Sequence, residues 1–114
     1  MGINSQGVAY NFGQLGSGFV NSTGAFTPPT GMVIVAITFL VADQTLAGLV
    51  ADTEQGNDAA FFSHSSAVTG NGGGADPTDS STKFPAGLTI YGRWTSVTLS
   101  GADADGGIIC YFGK

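Results

Sequence analysis

Charge is scarce in this sequence. Only 10% of its 114 residues are Asp, Glu, Lys or Arg, where an ordinary soluble domain carries about 25%. Positive charge is scarcest of all: Lys83, Arg93 and Lys114 stand apart from one another against eight acidic residues, for a net charge of −5. Binding to nucleic acid needs a cation for each neutralised phosphate, and none cluster here, so no nucleic-acid partner is expected. An anionic membrane surface is disfavoured for the same reason. A single cysteine, Cys110, cannot close an intrachain disulfide, which excludes an oxidised scaffold. Long hydrophobic runs are also missing. The longest, Met32 to Val41, has ten residues before Asp43, too short to cross a bilayer. The first residues carry neither the basic region nor the apolar stretch of a signal peptide. Gln6 stands where a myristoylation signal requires Ser or Thr.

Glycine is abundant instead, with 19 residues, about one in six against roughly 7% on average. The glycines follow no Gly-X-Y period, so collagen is excluded. Glycine is costly inside helices and strands and useful where the backbone must turn. Together with 42% hydrophobic residues, this predicts short strands joined by tight turns. A chain of this length can bury about 65% of its surface, enough for a core without staples. A surface of Gly, Ser, Thr, Asn and Ala resists self-association poorly. That suits a subunit whose faces meet neighbours, although a neutral secreted β-domain would have the same composition.

No apolar spacing of three and four residues is sustained between glycines, so no helix is expected. In the first 27 residues, Val8, Tyr10 and Phe12 alternate with polar or small residues, the period of a half-exposed strand. Residues 7–12 and 18–22 read as short strands or as an extended arm. Pro28-Pro29-Thr30-Gly31 then breaks the chain, because proline removes ladder donors. Met32 to Val41 is apolar on both alternating faces and rich in β-branched residues, which predicts a central strand covered on both sides. A turn at Asp43-Gln44 leads to a second strand over 45–50, and 59–64 reads as a third. Residues 69–82 read as a long surface loop. After a turn at Phe84-Pro85-Ala86-Gly87 come a strand over 88–91, a bend or bulge at Gly92-Arg93, and a strand over 94–99. The loop 100–106 and a strand over 108–112 complete what reads as a β-hairpin with an acidic tip. The expected fold is all-β, a single small β-sandwich or β-barrel of seven or eight strands, jelly-roll-like. Residues 1–30 form an extended N-terminal arm or cap and 31–114 the β-domain. The expected core includes Val33, Val35, Ile37, Ile90, Trp94, Val97, Ile108 and Tyr111.

Catalytic chemistry finds little support. His64 is the only histidine, and its neighbours Ser63 and Ser65 do not make a triad, which is assembled from separate segments. Cys110 has no second cysteine with which to hold a metal. Asp103-Ala104-Asp105-Gly106 resembles the first half of a calcium loop but lacks the distal Glu. Gly13 to Gly18 is no dinucleotide fingerprint, since no helix follows it. No enzyme activity, cofactor or metal is therefore expected. Tyr91, Trp94 and Tyr111 fall in one region and could form a carbohydrate platform, or could pack across strands in a small core.

The stretch from Lys83 to Leu99, KFPAGLTIYGRWTSVTL, followed by Gly107-Ile108-Ile109-Cys110-Tyr111-Phe112-Gly113, resembles the C-terminal end of small virion-associated proteins of tailed bacteriophages. With the strand from Met32 to Val41, the resemblance covers roughly residues 31–113. Such proteins are similar in size and composition to capsid decoration (cement) proteins, which sit on the outer shell, often as homotrimers, and bridge neighbouring major capsid subunits. The resemblance implies a structural virion protein on the outer surface of the capsid, with the major capsid protein and copies of itself as partners and no active-site residues. A tail or fibre accessory protein, or a carbohydrate-binding β-module, is the alternative. The exposed aromatics of the N-terminal segment, Tyr10, Phe12 and Phe19, are the expected partner contacts.

Overall fold

The computed structural model of the chain describes residues 14–52, 78, 82–101 and 106–114. These residues form an all-β fold with five strands: β1 (Ser17–Val20), β2 (Val33–Phe39), β3 (Leu46–Ala51), β4 (Thr89–Leu99) and β5 (Ile108–Gly113). All pairings are antiparallel, and the sheet order is β1-β5-β2-β4-β3. The strands expected over 7–12 and 59–64, most of the 69–82 loop and the acidic tip at 102–105 lie outside the described residues.

β2 is the central strand, as its sequence predicts. Six of its seven residues are buried. The core covers one face; on the other, the flanking strands leave Ala36 little exposed on the floor of an open groove rather than covered as the sequence suggests. Strict alternation nevertheless fails at Val35. Opposite β5, Ile34 pairs with Phe112 and Ala36 with Tyr111, so β2 carries one extra residue there. This bulge puts Ile34 in the same cluster as Ile37 and Phe39, whereas Val33 and Val35, buried at 8% and 7% exposure, lie outside it. Ala36 and Thr38 share the opposite face.

The expected hairpin between 94–99 and 108–112 does not form. β2 lies between β4 and β5 and pairs with both, Ile37 meeting Ile90 on one side and Cys110 on the other. Short sequence separation suggests a hairpin, but the most apolar strand gains most by taking the middle, where both its edges are bonded and Ile34, Ile37 and Phe39 reach the core. The bulge expected at Gly92-Arg93 is present: Ile34 pairs with Trp94 and Ala36 with Tyr91, leaving one extra residue in β4. Trp94 is fully buried, and its ring lies so close over Gly92 that a Cβ there would sit 2.7 Å from it.

Two turns of one kind feed β2 and β4. The amide of Met32 donates to the Pro29 carbonyl at 3.0 Å and that of Leu88 to the Pro85 carbonyl at 3.3 Å. Gly31 and Gly87 hold the third positions with φ of 85° and 86°, as type II turns require. Asp43 carries the left-handed φ of 59° in the turn before β3, a conformation that Asp tolerates better than most residues.

The core lies on one face of the sheet, built from Val20, Ile34, Ile37, Phe39, Leu46, Leu49, Ala51, Trp94, Val97, Leu99, Ile108, Cys110 and Phe112. Phe26 and Phe84 close its margins. Phe26 exchanges backbone hydrogen bonds with Val97 at 2.8 and 3.0 Å and stacks its ring on Phe112, with centroids 5.9 Å apart. Phe84 does the same with Gln44 and stacks on Phe39 at 4.5 Å, nearly parallel. Six of the eight expected core residues are buried. Ile90 is half-buried at the core's edge, and Tyr111 is half-buried on the opposite face.

Candidate functional site

The face of the sheet opposite the core carries the chemistry worth examining. The register sets two rows of side chains across it. In one, Phe19 of β1 pairs with Ile109 of β5, which pairs with Thr38 of β2, which pairs with Thr89 of β4. In the next, Ser17 pairs with Tyr111, Tyr111 with Ala36, and Ala36 with Tyr91. These strands alternate large apolar residues toward the core with Thr, Tyr, Ser and Ala toward this side, joined at the β1–β5 end by Phe19 and Ile109.

Tyr91 is the most exposed large hydrophobic side chain among the described residues, at 72%, and Phe19 follows at 57%. Ala36 lies between Tyr91 and Tyr111 and is only 6% exposed. The small residue thus forms the floor of a shallow groove of about 250 Å³, walled by Tyr91 and Tyr111 and continued by Thr38 and Thr89. The two threonine hydroxyls are hydrogen-bonded to each other at 2.8 Å. None of the five lining residues carries a charge at neutral pH.

A second polar cluster sits at the β4 bulge. Arg93 Nε donates to the Asp52 carboxylate at 3.3 Å, and Arg93 Nη1 donates to the Lys114 carbonyl at 2.6 Å. The Asp52 amide also donates to the Arg93 carbonyl at 2.9 Å. Asp52 is buried against this partner. Arg93 therefore ties the end of β3 and the residue after β5 to the middle of β4. These bonds make the cluster a clasp between three strands.

The residues singled out in the sequence scatter. Phe19 is exposed on the open face. Tyr10, Phe12, His64, Asp103 and Asp105 lie outside the described residues. Cys110 is buried in the core, and desolvation pushes its thiol up from the ordinary 9.0 to about 12. Among the described residues no three His, Cys, Asp or Glu side chains gather into a metal-binding group. The carbohydrate platform imagined from Tyr91, Trp94 and Tyr111 divides: Tyr91 and Tyr111 share the open face, while Trp94 belongs to the core. The role of Ala36 and Thr38 was not legible, because it depends on which strands flank β2 and on the bulge at Val35. The chain has no significant match among protein-family models, curated proteins or solved structures.

Proposed function

We propose that this chain is a non-catalytic structural protein of a virus particle, a capsid decoration protein that binds the major capsid protein lattice and holds it by burying apolar and backbone surface. The supporting observation is the open face of the sheet, on which Phe19 stands 57% exposed beside Ile109 at the β1 edge. Exposed aromatics are the usual anchors of protein–protein contacts. A chain with so little charge gains most from an environment that covers such a face. In this reading the subunit assembles as a homotrimer on the outer shell, and its β1 edge and N-terminal segment meet the lattice. A position on a tail or fibre would use the same surface.

Mass spectrometry of purified particles, with copy number measured against the major capsid protein, tests the proposal. Occupancy in proportion to the capsid lattice is expected. A handful of copies would move the protein to the tail, and none would remove it from the particle. Phe19→Ala is expected to weaken particle binding by about tenfold, as truncation of an aromatic anchor does.

A further inference from the structure

We infer that the groove between Tyr91 and Tyr111 is a binding site for a neutral saccharide. This goes beyond the virion reading and does not depend on it: the groove is centred on β2, between Tyr111 of β5 and Tyr91 of β4, whereas the proposed lattice contact is Phe19 on β1.

The geometry comes from three consecutive strands. Tyr91, Ala36 and Tyr111 are direct ladder partners, so the two tyrosines stand about 10 Å apart at the backbone, two strand spacings. Both faces of a ring held between two aromatic side chains need contacts of about 3.5–4 Å. The Ala36 methyl leaves that space open. A larger residue at position 36 would fill it. At about 250 Å³ the groove is smaller than the roughly 300–1,000 Å³ of sites for drug-sized ligands. One sugar ring fits, with the rest of a chain lying outside.

The chemistry of the lining selects the ligand. Its polar groups are the hydroxyls of Thr38, Thr89, Tyr91 and Tyr111, each able both to donate and to accept. Sugar hydroxyls have the same dual capacity. The C–H faces of a pyranose pack on the aromatic rings. No lining residue is charged, so a phosphate, a carboxylate or an acidic sugar would find no counter-ion. A proline-rich peptide also packs on aromatics but offers mainly carbonyl acceptors, which satisfy a hydroxyl's donor and leave its acceptor lone pairs unmatched.

The test uses the full chain on an array of neutral and acidic oligosaccharides, followed by titration with glucose-, mannose- and N-acetylglucosamine-based hexasaccharides monitored by two-dimensional amide NMR. At least one neutral series should bind, with shifts centred on Ala36, Thr38, Thr89, Tyr91 and Tyr111. Tyr91→Ala should weaken that binding by about tenfold and leave the unfolding temperature unchanged, because its side chain is mostly in solvent. Ala36→Leu should abolish binding by filling the floor, and far-UV and thermal melts establish that this variant folds. Failure of every neutral hexasaccharide to shift these residues would overturn the inference. So would binding that Tyr91→Ala leaves intact, or preferential binding of a proline-rich peptide to the same groove. Loss of saccharide binding would leave particle binding through Phe19 untouched, so the two readings fail separately.

Discussion

Cys110 illustrates how much a single residue's environment is worth. On β5 its thiol is fully buried, and desolvation raises its pKa from 9.0 to about 12. The folded state therefore holds this proton more tightly than the unfolded chain. The resulting stability is fully present below pH 9.0, and it is lost as pH rises through that value toward about 12. Unfolding free energies from urea titrations should fall between about pH 9 and about pH 10.5, by at most about 1.4 kcal/mol for each unit above the unfolded pKa. Cys110→Ala should flatten that part of the slope. An identical slope in the variant would assign the effect to other groups. Gly92 depends on its neighbour in a different way. The Trp94 ring covers it so closely that any Cβ must displace a fully buried indole. Gly92→Ala should cost about 1–3 kcal/mol, the usual penalty for overpacking, read from denaturant unfolding. An unchanged midpoint would mean that the bulge moves freely.

At the scale of elements, β2 is the keystone. It is bonded along both edges, to β5 and to β4, and six of its residues are buried. β1, with four residues, pairs with β5 at the margin of the sheet. Amide hydrogen exchange should follow this order, with Ile34, Ala36 and Ile37 the slowest and β1 exchanging orders of magnitude faster. Uniform protection across the sheet would contradict it. The identity of β2 was legible from its apolar run, and the bulge of β4 from Gly92-Arg93 interrupting two strand-like segments. The pairing was not. Trp94–Leu99 and Ile108–Phe112 look like hairpin partners because only a short loop separates them. Yet β2, more than fifty residues upstream of either partner, inserts between them. Sequence distance measures the entropy of closing a loop, which grows only slowly with length, and burial of a fully apolar strand outweighs it.

At the scale of the whole fold, among the described residues, one face of the sheet is closed by the core and the other presents Phe19, Ile109, Tyr111 and Tyr91. If the chain braces a shell in the way proposed, particles that lack it should release their DNA at a lower temperature than complete ones. Adding back the purified protein should restore the difference, and adding Phe19→Ala should not. Equal release temperatures with and without the protein would count against a bracing role wherever on the particle it sits.

The sequence by itself determined the all-β character, the central strand, the break at Pro28-Pro29 and the turn at Phe84-Pro85-Ala86-Gly87, because each of these follows from residues close together in the chain. Only the tertiary structure decided that β2 divides β4 from β5. The same arrangement set Trp94 inside and Tyr91 outside, three residues apart across a bulge. It also brought Ala36 between two tyrosines from distant segments to make a groove. Backbone propensity and alternation act over a few residues. Register, bulges and strand order are set by competition among distant segments for the same buried positions, and the candidate site is a product of that competition.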